Sequence, residues 1–465
     1  IAQIIGTKGL VARHDGTIIP TPIVGSFGTG LTTSEYFLSI SGSRKSLADK
    51  KLSVGKSGYL AAKLVKSCRD IIVTEEDCHS NAGIEIPKRL SYGRVILKDL
   101  GENVIVRSPV TCNAKNGLCS KCVGLNLSRR AESKIGDAIG IVSGQALSEP
   151  TTQMTMRTFH TGGVVESAQG IVIKSKAKGK VRLIDLTNET LQNNIVGFYS
   201  DESWKLTPRI QIVHKGEILQ EEFVSVESTL KVKDNQDIRE GDVLYSETAS
   251  MFDIVSSLQD IIALYELQKG TMATVAPVSG KVMEIRPTEE SYIEFVINDK
   301  IVEIEKGQIL NFKIGDDIKL GDRITYGRYD FNYLIEIGGV KLAAEKFIEE
   351  GLNLYESNGI KAFPIYLEVV FRSMTSQKVV LEGNSPGRLV GREDDRLGIP
   401  IAMGIGKTVR SNGSFIQRMS IGYVNDAIIN AIVKNPDLGT NEVDRIAIGL
   451  LPRLGTGINS NYLKD

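Results

Sequence analysis

Apolar positions change their spacing along the chain, and the changes divide it into regions. Between residues 176 and 336 the pattern is alternation. Alternation appears in Gly179-Lys180-Val181-Arg182-Leu183-Ile184 and again in Gly280-Lys281-Val282-Met283-Glu284-Ile285, a pattern that suits a half-buried strand. Each run is followed downstream by a Gly-Asp turn, in Glu240-Gly241-Asp242-Val243-Leu244 and in Leu320-Gly321-Asp322-Arg323-Ile324. Such turns favour Gly at positive φ beside Asp, so the pattern predicts two related, small, barrel-like β modules. From 337 to 465 helical spacing returns. Val340, Ala343, Ala344, Phe347, Ile348, Leu352 and Tyr355 recur at three or four residues and predict an amphipathic helix. A further helix is expected around Ile421 to Val433, stopped by Asn435-Pro436. Near the start, Leu31 to about Val65 would span roughly 50 Å as one helix at 1.5 Å per residue. Gly55, Ser57 and Gly58 are poor helix formers, so propensity alone breaks it there. A long helix with a soft segment is what a bendable element would show. The fold class is mixed α+β.

Composition changes this picture little. The 465 residues are 41% apolar and 24% charged, ordinary for a soluble globular protein. Length alone suggests about three domains. No apolar run approaches the roughly 20 residues that a membrane span needs, so no membrane partner is expected. No signal-peptide pattern opens the chain, and it begins at Ile1 rather than Met, which leaves its true start open. The formal net charge is zero, but its distribution is uneven. Between Ser41 and Asp70 there are eight Lys or Arg and two Asp. Local basic patches, more than totals, steer toward phosphates. From charge alone a solvated helix face fits equally well.

Five cysteines are too few for a disulfide scaffold of this size, and their clustering points to metal. Cys112, Cys119 and Cys122 form a C-x6-C-x2-C pattern whose Cys-Ser-Lys-Cys knuckle lets two thiolates reach one ion, with Gly117 easing the approach. A closed structural zinc site wants four N or S ligands. Cys78 is the best fourth ligand, with His79 as competitor and Cys68 as the spare. No general base sits beside the knuckle, which argues against a catalytic zinc.

On a helix, Gln153, Met156, Arg157 and His160 would share one face at three- and four-residue spacing. An amide, a soft apolar group, a fixed cation and an imidazole together suit a nucleoside triphosphate. Without further information, a buried amphipathic helix with a satisfied histidine is the blander alternative.

The run from Gly140 to Gly163, Gly-Ile-Val-Ser-Gly-Gln-Ala-Leu-Ser-Glu-Pro-Thr-Thr-Gln-Met-Thr-Met-Arg-Thr-Phe-His-Thr-Gly-Gly, resembles the segment leading into the trigger loop of bacterial RNA polymerase β′ subunits. Other landmarks resemble the same family in the same order. Lys8-Gly9-Leu10-Val11-Ala12 and Gly16-Thr17-Ile18-Ile19 look like its strand entry. Gly42-Ser43-Arg44-Lys45-Ser46-Leu47-Ala48-Asp49, with Ser57-Gly58-Tyr59-Leu60, looks like its bridge helix. Val73-Thr74-Glu75-Glu76-Asp77-Cys78 resembles its first zinc-ligand segment, which selects Cys78 over its rivals. Leu354-Tyr355 and Gly455-Thr456-Gly457 match weaker signals near the C-terminus. The resemblance covers nearly the whole chain and is thinnest across the β-rich middle.

The resemblance implies an architecture and a set of roles for the C-terminal half of a β′ subunit. Residues 1–70 would hold entry strands and the bridge helix, 71–135 a zinc-binding segment, and 136–175 the trigger-loop region with its mobile helices. Residues 176–336 would form a β-rich, jaw-like region and 337–465 a helical clamp or switch region. Met156 would face the base, Gln153 the sugar, and Arg157 and His160 the phosphates of an incoming NTP. His160 would donate a proton to the pyrophosphate or act by position; the sequence leaves both open. Glu149-Pro150 is expected to start this helix and Gly162-Gly163 to end it and act as a hinge. Arg44, Lys45, Tyr59 and Lys63 would lie near nucleic acid. Val54 stands where the family often has Thr, and Ala62 where a basic residue is common, so template contacts there are in doubt.

The β′ family holds its catalytic Mg2+ with an Asn-Ala-Asp-Phe-Asp-Gly-Asp loop, and no such stretch occurs in this sequence. Glu393-Asp394-Asp395 has the wrong spacing. The chain alone is therefore expected to be inactive, with Mg2+ held by a partner subunit. Expected partners are a separate N-terminal β′ polypeptide, β-type subunits, a promoter-specificity subunit, DNA template, RNA transcript and NTPs. Gly163 to Ser175 leaves no room for the large insertion of plastid and cyanobacterial versions, so a compact split subunit of a giant phage, working in a bacterial host's cytoplasm, is the best-fitting source. Two rivals weigh less. Met403-Gly404-Ile405-Gly406-Lys407-Thr408 fails as a P-loop because Ile401 stands where the first Gly is needed. A non-catalytic, zinc-dependent DNA-binding protein would leave the Gln153–His160 face without a purpose.

Overall fold

Thr32 and Glu35 start the longest helix of the chain. The Thr32 hydroxyl lies 3.4 Å from the Glu35 amide, and the Glu35 carboxylate accepts from the Thr32 amide at 2.9 Å, a capping box. The same carboxylate takes the amides of Val24 and Gly25 at 3.0 Å, tying the incoming chain to the first turn. These bonds, that from Gly25 foremost, hold the Glu35 carboxyl down at about 2.

The computed structural model describes residues 1–11, 19–115, 117–127, 129–158, 172–175, 178–184, 209–214, 217–223, 228–230, 232–239, 241–247, 254–287, 292–305, 308, 310–312, 314–381, 386–392, 394–412, 415–422, 424–434 and 442–455. After a short helix α1 (Ala2–Ile5), α2 runs unbroken from Thr33 to Cys68. The break that propensity alone would place at Gly55, Ser57 and Gly58 does not occur, and the long helix expected from Leu31 to about Val65 is present. Ser53, Ser57, Leu60, Leu64 and Cys68 follow one another at three- and four-residue steps, and all are buried. Burial of that stripe outweighs the roughly 1 kcal/mol that each Gly costs a helix. The buried Ser57 hydroxyl is satisfied by the Val54 carbonyl at 3.0 Å.

The chain divides into two compact units. One comprises Ile1–Ser46, Thr161–Ser256 and Thr271–Arg328. Its N-terminal part packs Val11, Ile19 and Ile23 with Leu31 and Leu38. Of the expected entry strands, residues 12–18 lie outside the described residues, while Gly9 pairs with Ile23.

The same unit holds two β modules with one topology. In the first, β8 (Val172–Lys174) joins β12 (Ser228–Leu230) and β14 (Val243–Glu247), while β9 (Gly179–Ile184), β10 (Arg209–His214), β11 (Glu217–Phe223) and β13 (Asp237–Ile238) form a sheet ordered β11-β10-β9-β13. In the second, β15 (Gly280–Pro287), β16 (Tyr292–Ile297), β17 (Lys300–Glu305) and β18 (Asp317–Ile318) are ordered β17-β16-β15-β18. The register agrees as well: Gly179 faces Ile238 as Gly280 faces Ile318. So do the turns. Asp242 accepts from the Arg239 amide at 2.8 Å, and Asp322 accepts from the Lys319 amide at 3.0 Å, each beside a glycine at positive φ. Each module has its own apolar core, around Val181, Ile210 and Leu244 in one and Val282, Phe295 and Ile324 in the other.

The second unit comprises Leu47–His160, Ser257–Gly270 and Tyr329–Asp465. Strand β1 (Val73–Glu75) pairs in parallel with β5 (Leu118–Cys119), and β2 (Gly83–Pro87), β4 (Asn103–Arg107) and β3 (Ile96–Asp99) form an antiparallel sheet. Helix α3 (Ser120–Val123) and the short pair β6 (Leu125–Asn126) and β7 (Ala131–Glu132) lead into α4 (Ile139–Thr158). Helix α5 (Ile254–Glu266) stands within the stretch read as β-rich. The helix expected from Val340 begins earlier. Helix α6 runs Phe331–Ser357, capped by Asp330 and broken at Gly339. Its predicted inward residues Ala343, Ala344, Phe347, Ile348, Leu352 and Tyr355 are buried. Helix α7 (Pro364–Met374) packs on α4 and α6. Next comes a three-stranded sheet of β19 (Gln377–Val380), β20 (Leu389–Gly391) and β21 (Gly398–Ile401), which the helical reading of this region missed. Helices α8 (Ile405–Asn412), α9 (Phe415–Met419), α10 (Val424–Lys434) and α11 (Glu442–Ala447) follow, with α10 near the expected 421–433.

Candidate functional site

The knuckle folds as its spacing requires. Cys119 caps α3, and its sulfur accepts from the Cys122 amide at 3.3 Å, while the Cys112 sulfur accepts from the Cys119 amide at 3.4 Å. Backbone N–H bonds of this kind stabilise sulfur as thiolate. Gly117 has φ 122°, and a Cβ there would collide with the Ile72 carbonyl, so only glycine brings β5 this close to β1.

The sulfurs of Cys78, Cys112, Cys119 and Cys122 all lie within 4.8 Å of one another. Cys78 is 3.7 Å from both Cys122 and Cys112. A tetrahedron with Zn–S bonds of about 2.3 Å has edges of about 3.8 Å, so the donors present fit a zinc ion in number, kind and spacing. The thiols compete for protons. Hydrogen bonds from Cys112 and then Cys122 hold Cys119 far below the ordinary thiol range, and the bond to Cys119 pushes Cys112 up to about 11. His79, the rival ligand, is exposed, with Nδ1 3.8 Å from an Asp77 oxygen. Cys68 is buried on α2 with its sulfur 3.4 Å from the Ser67 hydroxyl, outside the cluster.

A feature without a sequence signal adjoins the sulfurs. The Arg107 guanidinium donates to the sulfurs of Cys78, Cys119 and Cys122 at 3.1, 3.5 and 3.4 Å, and to Asp77 at 2.6 Å. Four thiolates around a dication would carry a net charge of minus two, and this cation would offset part of it. Outer-shell donors of this type orient and tune metal ligands. The segment is fastened to α7 by buried polar contacts. Arg94 grips fully buried Glu368 with two bonds of 2.5 and 2.6 Å, and Arg372 donates to the Cys112 carbonyl at 3.1 Å.

Helix α4 begins against the end of α2. A Cβ on Gly140 would strike the Cys68 carbonyl, and one on Gly144 would lie 3.0 Å from Val65 Cα. The two backbones therefore touch through a Gly-x3-Gly stripe. The helix start expected at Glu149-Pro150 is not found: the helix starts at Ile139 and carries Pro150 in its interior. Proline there removes the donor that would serve the Ala146 carbonyl, and the next carbonyl along the helix carries side-chain donors. The Leu147 carbonyl accepts from the Thr151 hydroxyl at 2.9 Å and from the Tyr355 hydroxyl at 3.0 Å.

Gln153, Met156 and Arg157 lie on the final turns of α4. Gln153 is exposed, and its side-chain amide donates to Glu149 at 2.5 Å. The side chains of Met156 and Arg157, and all of His160 and Gly162-Gly163, lie outside the described residues.

On α2, Arg44 is exposed, and the side chain of Lys45 lies outside the described residues. Tyr59 is half exposed, with the Lys63 ammonium 4.5 Å above its ring. Lys63 has a partner within the fold. Its ammonium sits 2.5 Å from a Glu266 oxygen in a pair whose side chains are 19% and 17% exposed. The other Glu266 oxygen accepts from the Gly406 amide at 3.2 Å, at the start of α8. The stretch that superficially resembles a phosphate loop is thus used within the fold. Asp394 of the acidic triplet is likewise held by Arg396, at 2.6 and 2.8 Å.

Residues 30–412 match the family described as RNA polymerase Rpb1, domain 5. The chain is also similar to the DNA-directed RNA polymerase subunit beta' of Elusimicrobium minutum (strain Pei191), 24% identical over 632 aligned residues covering 99% of this chain and 45% of the relative. It therefore spans about half the length of that curated relative. Both findings agree with the resemblance first carried by Gly140–Gly163. Among the described residues, no helix is long and apolar enough to cross a membrane.

Proposed function

This chain belongs to the RNA polymerase Rpb1 domain 5 family, and on that premise we propose that it supplies the bridge helix and trigger helix of a DNA-directed RNA polymerase. The observation that carries this reading is the backbone contact of α4, through Gly140 and Gly144, with the end of the 36-residue helix α2. Two helices joined at their bases can present a nucleic-acid-facing rod and a nucleotide-facing arm to one place. Gln153, Met156, Arg157 and His160 recur on one face of the arm and would meet sugar, base and phosphates of an NTP. Phosphoryl transfer is served mostly by positioning and charge stabilisation. Arg157 would neutralise phosphate charge as it develops, and His160 would protonate the pyrophosphate or hold it in place. Closure of the arm would exclude water and complete the constellation.

Arg44, Lys45 and Tyr59 would line the nucleic acid, with Lys63 acting as an internal latch. Zinc on the four cysteines would hold the segment between the two helices. The Mg2+ that activates the reacting oxygens would be held by aspartates of another part of the polymerase, so this chain alone would not synthesise RNA. Partners would be the rest of β′, β-type subunits, a promoter-specificity subunit, template and transcript, in the cytoplasm of the host cell. The short passage from Gly163 to Ser175 favours a compact, giant-phage-like enzyme over one with a large trigger-loop insertion.

The test is single-nucleotide addition by the assembled polymerase on a preformed scaffold. Arg157→Ala and His160→Ala are each expected to slow addition about 10²-fold, the loss of roughly 3 kcal/mol typical of a charge-stabilising contact in a closed site, with scaffold affinity unchanged. Addition at the unmodified rate by both variants would overturn the assignment.

A further inference from the structure

Tyr355 and Tyr265 are both buried, and their hydroxyls lie 3.1 Å apart. They sit on α6 and α5, far in sequence from α4, yet the Tyr355 hydroxyl reaches the Leu147 carbonyl of α4 at 3.0 Å. It also lies 3.5 Å from the Thr151 hydroxyl, which meets the same carbonyl at 2.9 Å. The spot is chemically special. Pro150 has no N–H for the carbonyl four residues before it, that of Ala146, and its ring crowds that turn, so the helix ladder is interrupted one residue before the Leu147 carbonyl. Helices bend at such places. An outside hydroxyl that donates to the 147 carbonyl therefore supports the helix directly beside the break in its own ladder.

A burial role alone would not need the hydroxyl. Phenylalanine would fill the same space, and placing two hydroxyls in an apolar interior is costly unless both are used. Here the Tyr355 oxygen has three polar neighbours: a carbonyl, a threonine and a second tyrosine. The part of α4 beyond Pro150 carries Gln153, Met156 and Arg157, so a small change in direction at residue 150 displaces every group on the arm.

We infer that Tyr355, backed by Tyr265, is a positioning residue that sets the direction of the distal half of α4 through the Leu147 carbonyl beside Pro150. This rests on the trigger-helix reading above. In the assembled enzyme Tyr355→Phe should lower kcat for single-nucleotide addition about tenfold, leave scaffold affinity unchanged and leave bound zinc unchanged. Tyr265→Phe should have a smaller effect in the same direction. The deciding measurement is a double-mutant cycle with Pro150→Ala, which restores the missing backbone donor. In that background the loss caused by Tyr355→Phe should shrink to about twofold. An equal loss with Pro150 intact and in the Pro150→Ala background would reduce Tyr355 to ordinary core packing and overturn the inference, as would a Tyr355→Phe enzyme of full kcat. Arg157→Ala serves as the control. If it slows addition while Tyr355→Phe does not, this inference alone falls. If neither does, the trigger-helix reading falls with it.

Discussion

The cysteine centre and helix α4 are adjacent in sequence and built on opposite plans. The centre draws three of its four ligands from eleven consecutive residues, Cys112–Cys122, and the knuckle's own amides serve two of the sulfurs. Four sulfurs leave no open coordination position, which suits a site that stays as it is. Helix α4 is supported from a distance. Its start depends on Cys68 and Val65 of α2, and its weak turn on a tyrosine 208 residues away. Its far end leaves Gln153 in solvent. A region that only has to hold can be locally encoded. A region that has to be aimed takes its direction from elements already packed.

The comparison would break most decisively at the metal. Cys78→Ser should abolish tight zinc binding, and chelation of the unmodified protein should do the same to the surrounding segment. Structural zinc contributes on the order of 10 kcal/mol in small domains, and part of that would be lost here as folding stability. Metal content by mass spectrometry and a melting curve check this. A Cys78→Ser protein with full zinc and an unchanged melt would rule out the four-cysteine centre. Ile139 at the start of α4 packs with the cysteines, but Arg157 lies on its final turns, so Arg157→Ala should leave both readings untouched.

A smaller effect is expected at Lys63 and Glu266. Breaking a part-buried pair costs more than the roughly 1 kcal/mol of an exposed one, because the remaining charge is left poorly compensated. Glu266→Gln should therefore lower stability, and Lys63→Met added to it should restore most of the loss. The same pair bears on what α2 offers to nucleic acid. If Lys63 is spent on Glu266, Lys63→Ala should leave the salt dependence of scaffold binding as it was. Arg44→Ala should reduce that slope by about one unit, as expected for one lost phosphate contact. A lowered slope for Lys63→Ala would return Lys63 to the nucleic acid.

The smallest effect belongs to Gly55 and Gly58, where a Cβ meets nothing within 4 Å. Gly55→Ala and Gly58→Ala should each stabilise α2 by up to about 1 kcal/mol. If bending of α2 serves the reaction, the same changes should slow processive extension more than single addition. Faster or unchanged extension would mean that the soft segment has no role in the cycle.

Several features were legible in the sequence because their causes are local. Alternation marked one strand in each β module, β9 and β15, and the Gly-Asp turns marked their repeat, since a turn's φ and its side-chain bond involve only neighbouring residues. The spacing of Cys112, Cys119 and Cys122 announced three members of the four-cysteine cluster for the same reason. The stripe Ala343–Tyr355 announced α6. Other features depended on what surrounds a segment. Propensity broke α2 at Gly55–Gly58, and burial of Ser53, Ser57, Leu60, Leu64 and Cys68 keeps it whole. Pro150 read as a helix start, but packing extends α4 back to Ile139, with a hydroxyl from α6 beside the weak turn. Arg107 at the sulfurs, Glu266 on Lys63 and Tyr355 on Leu147 join residues that are 12 to 208 positions apart. A hydrogen bond or ion pair needs contact in space, and no periodicity along the chain records which distant side chain will be there. The sequence by itself determined the local elements and the donor types; the tertiary structure decided which charges are spent within the fold and which helices hold each other.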